Sequence, residues 1–273
     1  MPRLAPLILL LAACGSSRGP DVIFLPSAAD VVDRMLALAR VGADDVVYDL
    51  GCGDGRIVIA AAKQRGARGV CVDIDPGRVA ESERNADTAG VRARIEFRRA
   101  DLFETDLAEA SVVAVYLSPS LNRRLRPKLL REVRPGARIV SHNFDMGDWR
   151  PDTLVRVEWP TGTTSTVWGW ILPADVAGTW ELSAPAIGGN GRARLRFTQH
   201  YQEVAGTASL AGRTAGVDSI RLVGDSLEFQ LTGPGAGRSG AIRFAGRVSG
   251  GTMSGVMRNG QQPAGTPWRA TRP

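Results

Sequence analysis

Apolar and polar positions follow two different rhythms along this chain. From Ser27 to Arg40 apolar residues recur at helical spacing, with Val31, Met35, Leu38 and Ala39 on one face and Ser27 and Asp30 as a capping-box-like start. After the turn at Gly42-Ala43-Asp44-Asp45, Val46 to Leu50 is an unbroken β-rich run, the pattern of a strand covered on both faces. Helices are then predicted over 57–65, 76–89 and 121–133, and strands over 70–74, 94–98, 112–117 and 138–141. Strands separated by helices of this length imply βαβ units and a parallel sheet. Residues 154–159 and 165–172 read as two further strands whose short Thr/Gly turn leaves no room for a crossover helix, so they pair as an antiparallel hairpin. The expected fold class is α/β: a Rossmann-like sheet of seven strands, five parallel plus a closing hairpin.

Beyond Pro173 the rhythm becomes period two. Arg192, Arg194 and Arg196 alternate with Ala193, Leu195 and Phe197; Glu228 and Gln230 alternate with Leu227, Phe229 and Leu231; Arg243 separates Ile242 from Phe244. Turn signals at 188–191, 224–225, 233–235 and 250–251 predict a small antiparallel barrel or sandwich. Glycine rises from 14 of the first 172 residues to 18 of the last 101, which puts the domain boundary near Pro173. Residues 22–172 and 173–273 are therefore two units.

Composition removes several function classes. At 273 residues and 44% hydrophobic content the chain can bury large cores, and it holds no run of about 18 apolar residues that would cross a bilayer as a helix. Three cysteines cannot staple a chain of this size, and Cys52 and Cys71 lack the spacing and histidine partners of a metal site, so Cys71, between Val70 and Val72, reads as core. The net charge of +6 suggests nucleic acid, yet residues 1–172 carry 23 basic and 22 acidic groups while 173–273 carry 11 and 6. The excess sits in the second unit and no basic run interleaves with aromatics, so nucleic acid is not an expected partner.

The first residues have the layout of an export signal: Arg3, an apolar run from Leu4 to Ala13, then Cys14, Gly15, Ser16 and Ser17. Leu11-Ala12-Ala13-Cys14 resembles the lipobox of bacterial lipoproteins. The resemblance implies lipidation at Cys14, a signal segment over 1–14, a linker over 15–21, and a lipid anchor holding the protein to the cell envelope, on the periplasmic face of the outer membrane. A misassigned start would leave it cytoplasmic instead.

The candidate chemistry begins at Asp49-Leu50-Gly51-Cys52-Gly53-Asp54-Gly55, directly after a predicted strand and opening a helix. Doubly wound sheets bind ligands at such a point, and glycines let the backbone come close. A dinucleotide site of the G-x-G-x-x-G kind needs a third glycine at position 56, where Arg56 stands. The leading Asp49 suits a cationic ligand better than a pyrophosphate, and Asp73, 24 residues on at the end of the next strand, can accept from ribose hydroxyls. These features favour an adenosine-bearing ligand without a diphosphate.

Together with Asp73-Ile74-Asp75-Pro76 and Ala100-Asp101-Leu102-Phe103, the loop resembles the motifs of class I S-adenosylmethionine-dependent methyltransferases over residues 22–172. The resemblance implies S-adenosylmethionine as cofactor, with Asp49, Gly51, Cys52, Gly53 and Gly55 around its methionine and ribose, Asp73 and Ile74 at the ribose, and Asp101 and Leu102 at the adenine. Asp75 reads as a cap for the following helix. The runs Tyr116 to Asn122, Leu125 to Leu130 and Ser141 to Asp145 are similar to bacterial relatives of the mitochondrial lysine methyltransferases that act on the ATP synthase c-subunit and the adenine nucleotide translocase. Ser120 and Asn143 depart from that pattern, where relatives tend to carry acidic residues. Ser118, Asn122, His142 and Asp145, at carboxyl ends of predicted strands, are the acceptor-site candidates for a protein or small-molecule acceptor. Gly178-Thr179-Trp180 and Trp268-Arg269 resemble the Gly-x-Trp and closing Arg of lipocalin-like barrels. The alternative is an anchored envelope protein with a vestigial enzyme half and a β domain that binds a ligand or partner.

Overall fold

Five short runs, almost wholly apolar in three of them, line up as the parallel part of one sheet in the computed structural model, which describes residues 19, 23–158, 162–185, 187, 190–233, 241–260 and 265–273. They are β1 (Val46–Leu50), β2 (Arg68–Asp73), β3 (Ile95–Arg99), β4 (Val112–Val115) and β5 (Arg138–His142). A hairpin of β6 (Thr153–Glu158) and β7 (Thr164–Ile171) completes the order β3-β2-β1-β4-β5-β7-β6, with β7 antiparallel to β5 and β6. The sequence expectation of five parallel strands and a hairpin matches this sheet; residues 159–161, including the end of the expected strand at Trp159 and part of its turn, lie outside the described residues. The chain reverses direction across the sheet between β1 and β4, so the loops leaving those strands diverge and open a crevice.

Helices cover both faces because the central strands are apolar on both. On one side α1 (Ala29–Leu38) and α2 (Arg56–Arg65) pack Val31, Met35, Leu36 and Ala61 against Val47, Ala114 and Val140. On the other α4 (Pro119–Glu132) packs Leu125 and Leu129 with Leu50, Val113, Trp149 and Trp170. The helix α3 (Pro76–Thr88) flanks β2 and β3, and Asp75 caps it by accepting from Gly77 N at 2.7 Å, as the sequence suggested. The expected capping box at Ser27 is corrected: α1 starts after Ala28 with no side-chain cap, because the Ser27 hydroxyl is bonded to His142, 115 residues away.

The second unit is a closed antiparallel barrel. Its strands are β8 (Gly178–Ser183), β9 (Arg192–His200), β10 (Glu203–Leu210), β11 (Arg213–Val223), β12 (Ser226–Thr232), β13 (Ala241–Ser249), β14 (Thr252–Asn259) and β15 (Thr266–Thr271), with β15 pairing back onto β8. Closure removes every free edge, which a sandwich of the same strands would leave exposed. Inward positions hold Trp180, Leu195, Phe197, Phe229, Phe244 and Trp268, with Phe229 and Phe244 stacked at 4.7 Å and Trp268 edge-on to both. These side chains fill the barrel. The residue over the Trp180 ring is Arg272, at 4.8 Å, and Arg269 faces outward instead, since alternation along β15 puts Trp268 and Ala270 inside. Glycines 188, 189 and 235 of the expected turns lie outside the described residues.

The two units meet through the turn between β9 and β10. Tyr201 stacks on Trp149 at 5.5 Å and its hydroxyl donates to Asp148 Oδ2 at 3.0 Å. Gln202 accepts from Trp149 Nε1 at 2.9 Å and donates to the Arg150 carbonyl at 2.8 Å. Gly224 also abuts the first unit, where a Cβ on it would lie 2.8 Å from Gly136 Cα.

Candidate functional site

A cavity of about 580 Å³ opens at the carboxyl ends of β1, β2 and β4, where the sheet order reverses. Its floor is the glycine loop. Gly51 and Gly53 both take left-handed backbone, at φ of 82° and 55°, which lets the chain turn sharply out of β1. A Cβ on Gly51 would press on Leu117 at 3.0 Å, and one on Gly53 would lie 2.2 Å from the Phe24 ring. The loop folds back over β2, with Gly51 N and Cys52 N both donating to Val72 O at 2.8 and 3.1 Å.

That return brings Cys52 onto Cys71, and the two form a disulfide with a Cα–Cα distance of 5.3 Å. The sequence reading of Cys71 as a plain core residue is thereby corrected: it is fully buried, but bonded. Neither cysteine stands near the other in sequence, and only the β1–β2 register, Asp49 opposite Cys71, makes them neighbours.

Asp49 is the least satisfied group of the site. It is 2% exposed, lines the cavity, and its Oδ2 has no hydrogen-bond partner among the described residues. Burial, with lesser repulsion from Asp73 and Asp54, pushes its pKa up to about 8. Asp73 is fully engaged by comparison. Its Oδ2 accepts from Gly53 N at 2.9 Å and Oδ1 from Asp75 N at 3.0 Å, so the carboxylate ties the loop to the end of β2 while facing the cavity. Ile74, Asp101 and Leu102 complete the far wall, with Asp101 Oδ1 holding its own turn through Phe103 N at 2.9 Å. Of the cofactor candidates, Asp49, Gly51, Cys52, Asp73, Ile74, Asp101 and Leu102 line the cavity; Gly53 and Gly55 shape the loop from below.

The acceptor candidates are gathered less tightly. Ser118 caps α4, accepting from Leu121 N at 3.3 Å. Asn122 is fully buried, and its amide donates to Ser141 Oγ and to the carbonyls of Phe144 and Asp145 at 3.0–3.1 Å. It therefore positions the loop after β5 rather than facing a ligand. Asp145 is exposed and accepts from Gly147 N at 3.0 Å. His142 is 4% exposed, with Nδ1 2.8 Å from Ser27 Oγ and Nε2 3.2 Å from Ser165 Oγ. Burial lowers its pKa to about 4, so the ring is neutral at physiological pH. Its face lies 3.9 Å from the Tyr116 ring, and Tyr116 lines the cavity. Asn143, one departure from the resembled pattern, adopts φ of 61°, a left-handed conformation that Asn tolerates, and exchanges hydrogen bonds with Thr166 N and O.

The sequence reading missed one whole wall. Residues 23–27 line the cavity: Phe24 lies on Gly53 under the Arg78 guanidinium at 4.3 Å, and Arg56 donates to Ser27 O at 2.6 Å. Tyr116, Leu117 and Phe103 were also missed. All three lie in runs that carry the resemblance, Ala100 to Phe103 and Tyr116 to Asn122, but the predicted fourth strand runs to Leu117, whereas β4 stops at Val115 and the next two residues bend into the cavity.

An unpaired carboxylate oxygen in a cavity whose floor is bare backbone fits a cationic, adenosine-bearing donor such as S-adenosylmethionine. Residues 49–153 match the family described as the ANTKMT methyltransferase domain. A protein-lysine N-methyltransferase of Saccharolobus islandicus (strain REY15A) is 44% identical over 140 residues, 51% of this chain and 87% of that protein. The mouse adenine nucleotide translocase lysine N-methyltransferase is 36% identical over 150 residues, 54% of this chain and 65% of that protein. Among solved structures, an RNA methyltransferase from Salinibacter ruber in complex with S-adenosyl-L-homocysteine is 51% identical with a TM-score of 0.53, covering 56% of this chain and 96% of that one. This chain belongs to the ANTKMT methyltransferase family and is an S-adenosylmethionine-dependent methyltransferase.

Proposed function

We propose that this enzyme methylates the side-chain amine of lysine in a protein acceptor. The observation that carries the reading is the 44% identity to a protein-lysine N-methyltransferase along 87% of that relative. When bound, S-adenosylmethionine supplies an electrophilic methyl group on a positively charged sulfur. Asp49 offers the buried counter-charge for a cationic donor, Asp73 and Asp101 offer acceptors to its sugar and base, and Leu117, Leu102 and Phe103 exclude water. An acceptor ammonium must lose a proton before its nitrogen can attack, and a dry wall favours the neutral amine. Tyr116, backed by the neutral His142, provides such a wall at the cavity. The intact cavity and buried Asp49 weigh against a vestigial enzyme half.

The Salinibacter neighbour raises RNA as a second acceptor class. The near balance of charge over residues 1–172 argues against it. Incubation of the purified protein with methyl-labelled donor and either envelope proteins or RNA separates the two. Label recovered as methyllysine supports the proposal; label in RNA alone overturns it.

For location we propose the bacterial envelope, with a lipid anchor at Cys14. Support comes from the Arg3-to-Cys14 pattern, which lies outside the described residues, and from the Cys52–Cys71 disulfide, a bond that persists in oxidising compartments. Palmitate labelling that survives Cys14→Ala would rule the anchor out. The lipocalin-like reading of the barrel draws on Gly178-Thr179-Trp180 with Arg272 across the indole, and the rings packed in its interior support a docking module over a carrier.

A further inference from the structure

The outer wall of the barrel carries an ordered basic face. Strand register places Arg243 directly opposite Arg258. One step along, Ala245, Val256 and Pro267 stand in a row across β13, β14 and β15. One step further, Arg247, Ser254 and Arg269 form the next row, which continues through Ser183 to Arg192. All of these residues are exposed, Val256 by 46%. An apolar stripe is thus bracketed by two rows of arginine.

Like charges directly opposite one another weaken a sheet. Among the described residues no carboxylate pairs with Arg243, Arg258, Arg269 or Arg192, and only Arg247 has one, Asp225, at 2.7 Å. The wall turns acidic toward β11 and β12, where Glu228 stands between Arg221 and Ala245, and on β8, where Glu181 is already paired with Arg194 at 2.8 Å. An external anion would relieve the repulsion that the fold leaves in place.

We propose that this face seats the enzyme on a lipid bilayer rich in anionic headgroups, whichever acceptor it methylates. Guanidinium groups bond phosphates in a planar, bidentate manner, and the Val256 stripe lies where it can dip into the headgroup boundary. Nucleic acid fits the face less well. The described aromatic residues of this unit, Trp180, Phe197, Phe229, Phe244 and Trp268, point inward, and Tyr201 is held at the contact with the first unit, so no ring is offered for base stacking.

The test is co-sedimentation of the full chain carrying Cys14→Ala, which removes acylation, with vesicles of phosphatidylcholine alone or with about 30% phosphatidylglycerol. The apolar run 4–13 contributes equally to both vesicle types, so the difference between them isolates charge. Binding to the anionic vesicles is expected to be at least about tenfold stronger at low salt. A variant combining Arg243→Gln, Arg247→Gln, Arg258→Gln and Arg269→Gln should lose most of that difference while binding S-adenosylmethionine as wild type does. Val256→Ser should weaken anionic-vesicle binding severalfold. Equal binding to both vesicle types, a preference retained by the fourfold variant, or stronger binding of an RNA oligonucleotide through the same arginines would overturn the proposal.

Discussion

The sheet unit and the barrel use the same apolar chemistry and treat their buried polar groups in opposite ways. Among the described residues the buried side-chain atoms without a partner are Asp49 Oδ2, Asn122 Oδ1, Arg138 Nε and Trp168 Nε1, all in the sheet unit. The barrel has none there, and even its buried Trp180 and Trp268 indoles donate to carbonyls of Val176 and Ala245. Unpaired buried groups are destabilising, and of these four only Asp49 lines the cavity, where a ligand can pair it. The barrel fills its interior with rings that pack on one another, and its chemistry is left to the outer wall. The difference locates function: inside the crevice in one unit, outside the closed sheet in the other.

The sharpest way to break this comparison is Asp49→Asn. Loss of the buried counter-charge should weaken S-adenosylmethionine binding by about a hundredfold or more in calorimetry. The same change should stabilise the ligand-free protein. With a folded pKa near 8 the native state holds a proton that the unfolded state releases above about 4, so wild-type stability falls as pH rises through that window. The melting temperature of the variant should therefore overtake that of wild type increasingly from pH 5 to pH 8. No crossover would mean that Asp49 is paired after all.

Next in size, Phe244→Ala in the barrel should cost about 3–5 kcal/mol of stability through lost packing, with no change in donor affinity. A fall in affinity would show that the barrel interior takes part in the site. Cys71→Ser opens a crosslink between residues 19 apart and should cost about 3 kcal/mol on a chain-entropy basis. Because Cys52 sits in the glycine loop, donor affinity should fall as well, and a thiol reductant should reproduce both effects on wild type. Smallest, Gln202→Ala leaves the Trp149 indole without its acceptor and should cost about 1–2 kcal/mol, measured by denaturant unfolding. A null result would reduce the contact between the units to surface apposition.

Much of the first unit could be read in advance because its signals are local. Val46 to Leu50 is apolar at each position but Asp49, and the bend at Gly51 to Gly55 follows from residues that accept left-handed backbone. The acceptor region was harder. Ser118, Asn122, His142 and Asp145 follow strands that share an end of the sheet, but their side chains cap a helix, hold a loop, bridge two serines and close a turn. Orientation of that kind depends on partners such as Ser27 and Ser165, which no spacing within the chain connects to His142.

What the sequence determined by itself was periodicity, hence which segments are strands and helices, and the short-range chemistry of Asp49, its three glycines and Asp73. What only the tertiary structure decided was every partnership across distance: the Cys52–Cys71 bond, the wall built by residues 23–27, the neutral His142 behind Tyr116, the closed barrel, and the rows of arginine on its surface. The physical reason is that backbone propensity acts over a few residues, whereas burial, register and hydrogen-bond satisfaction depend on which remote segments the folded sheet brings side by side.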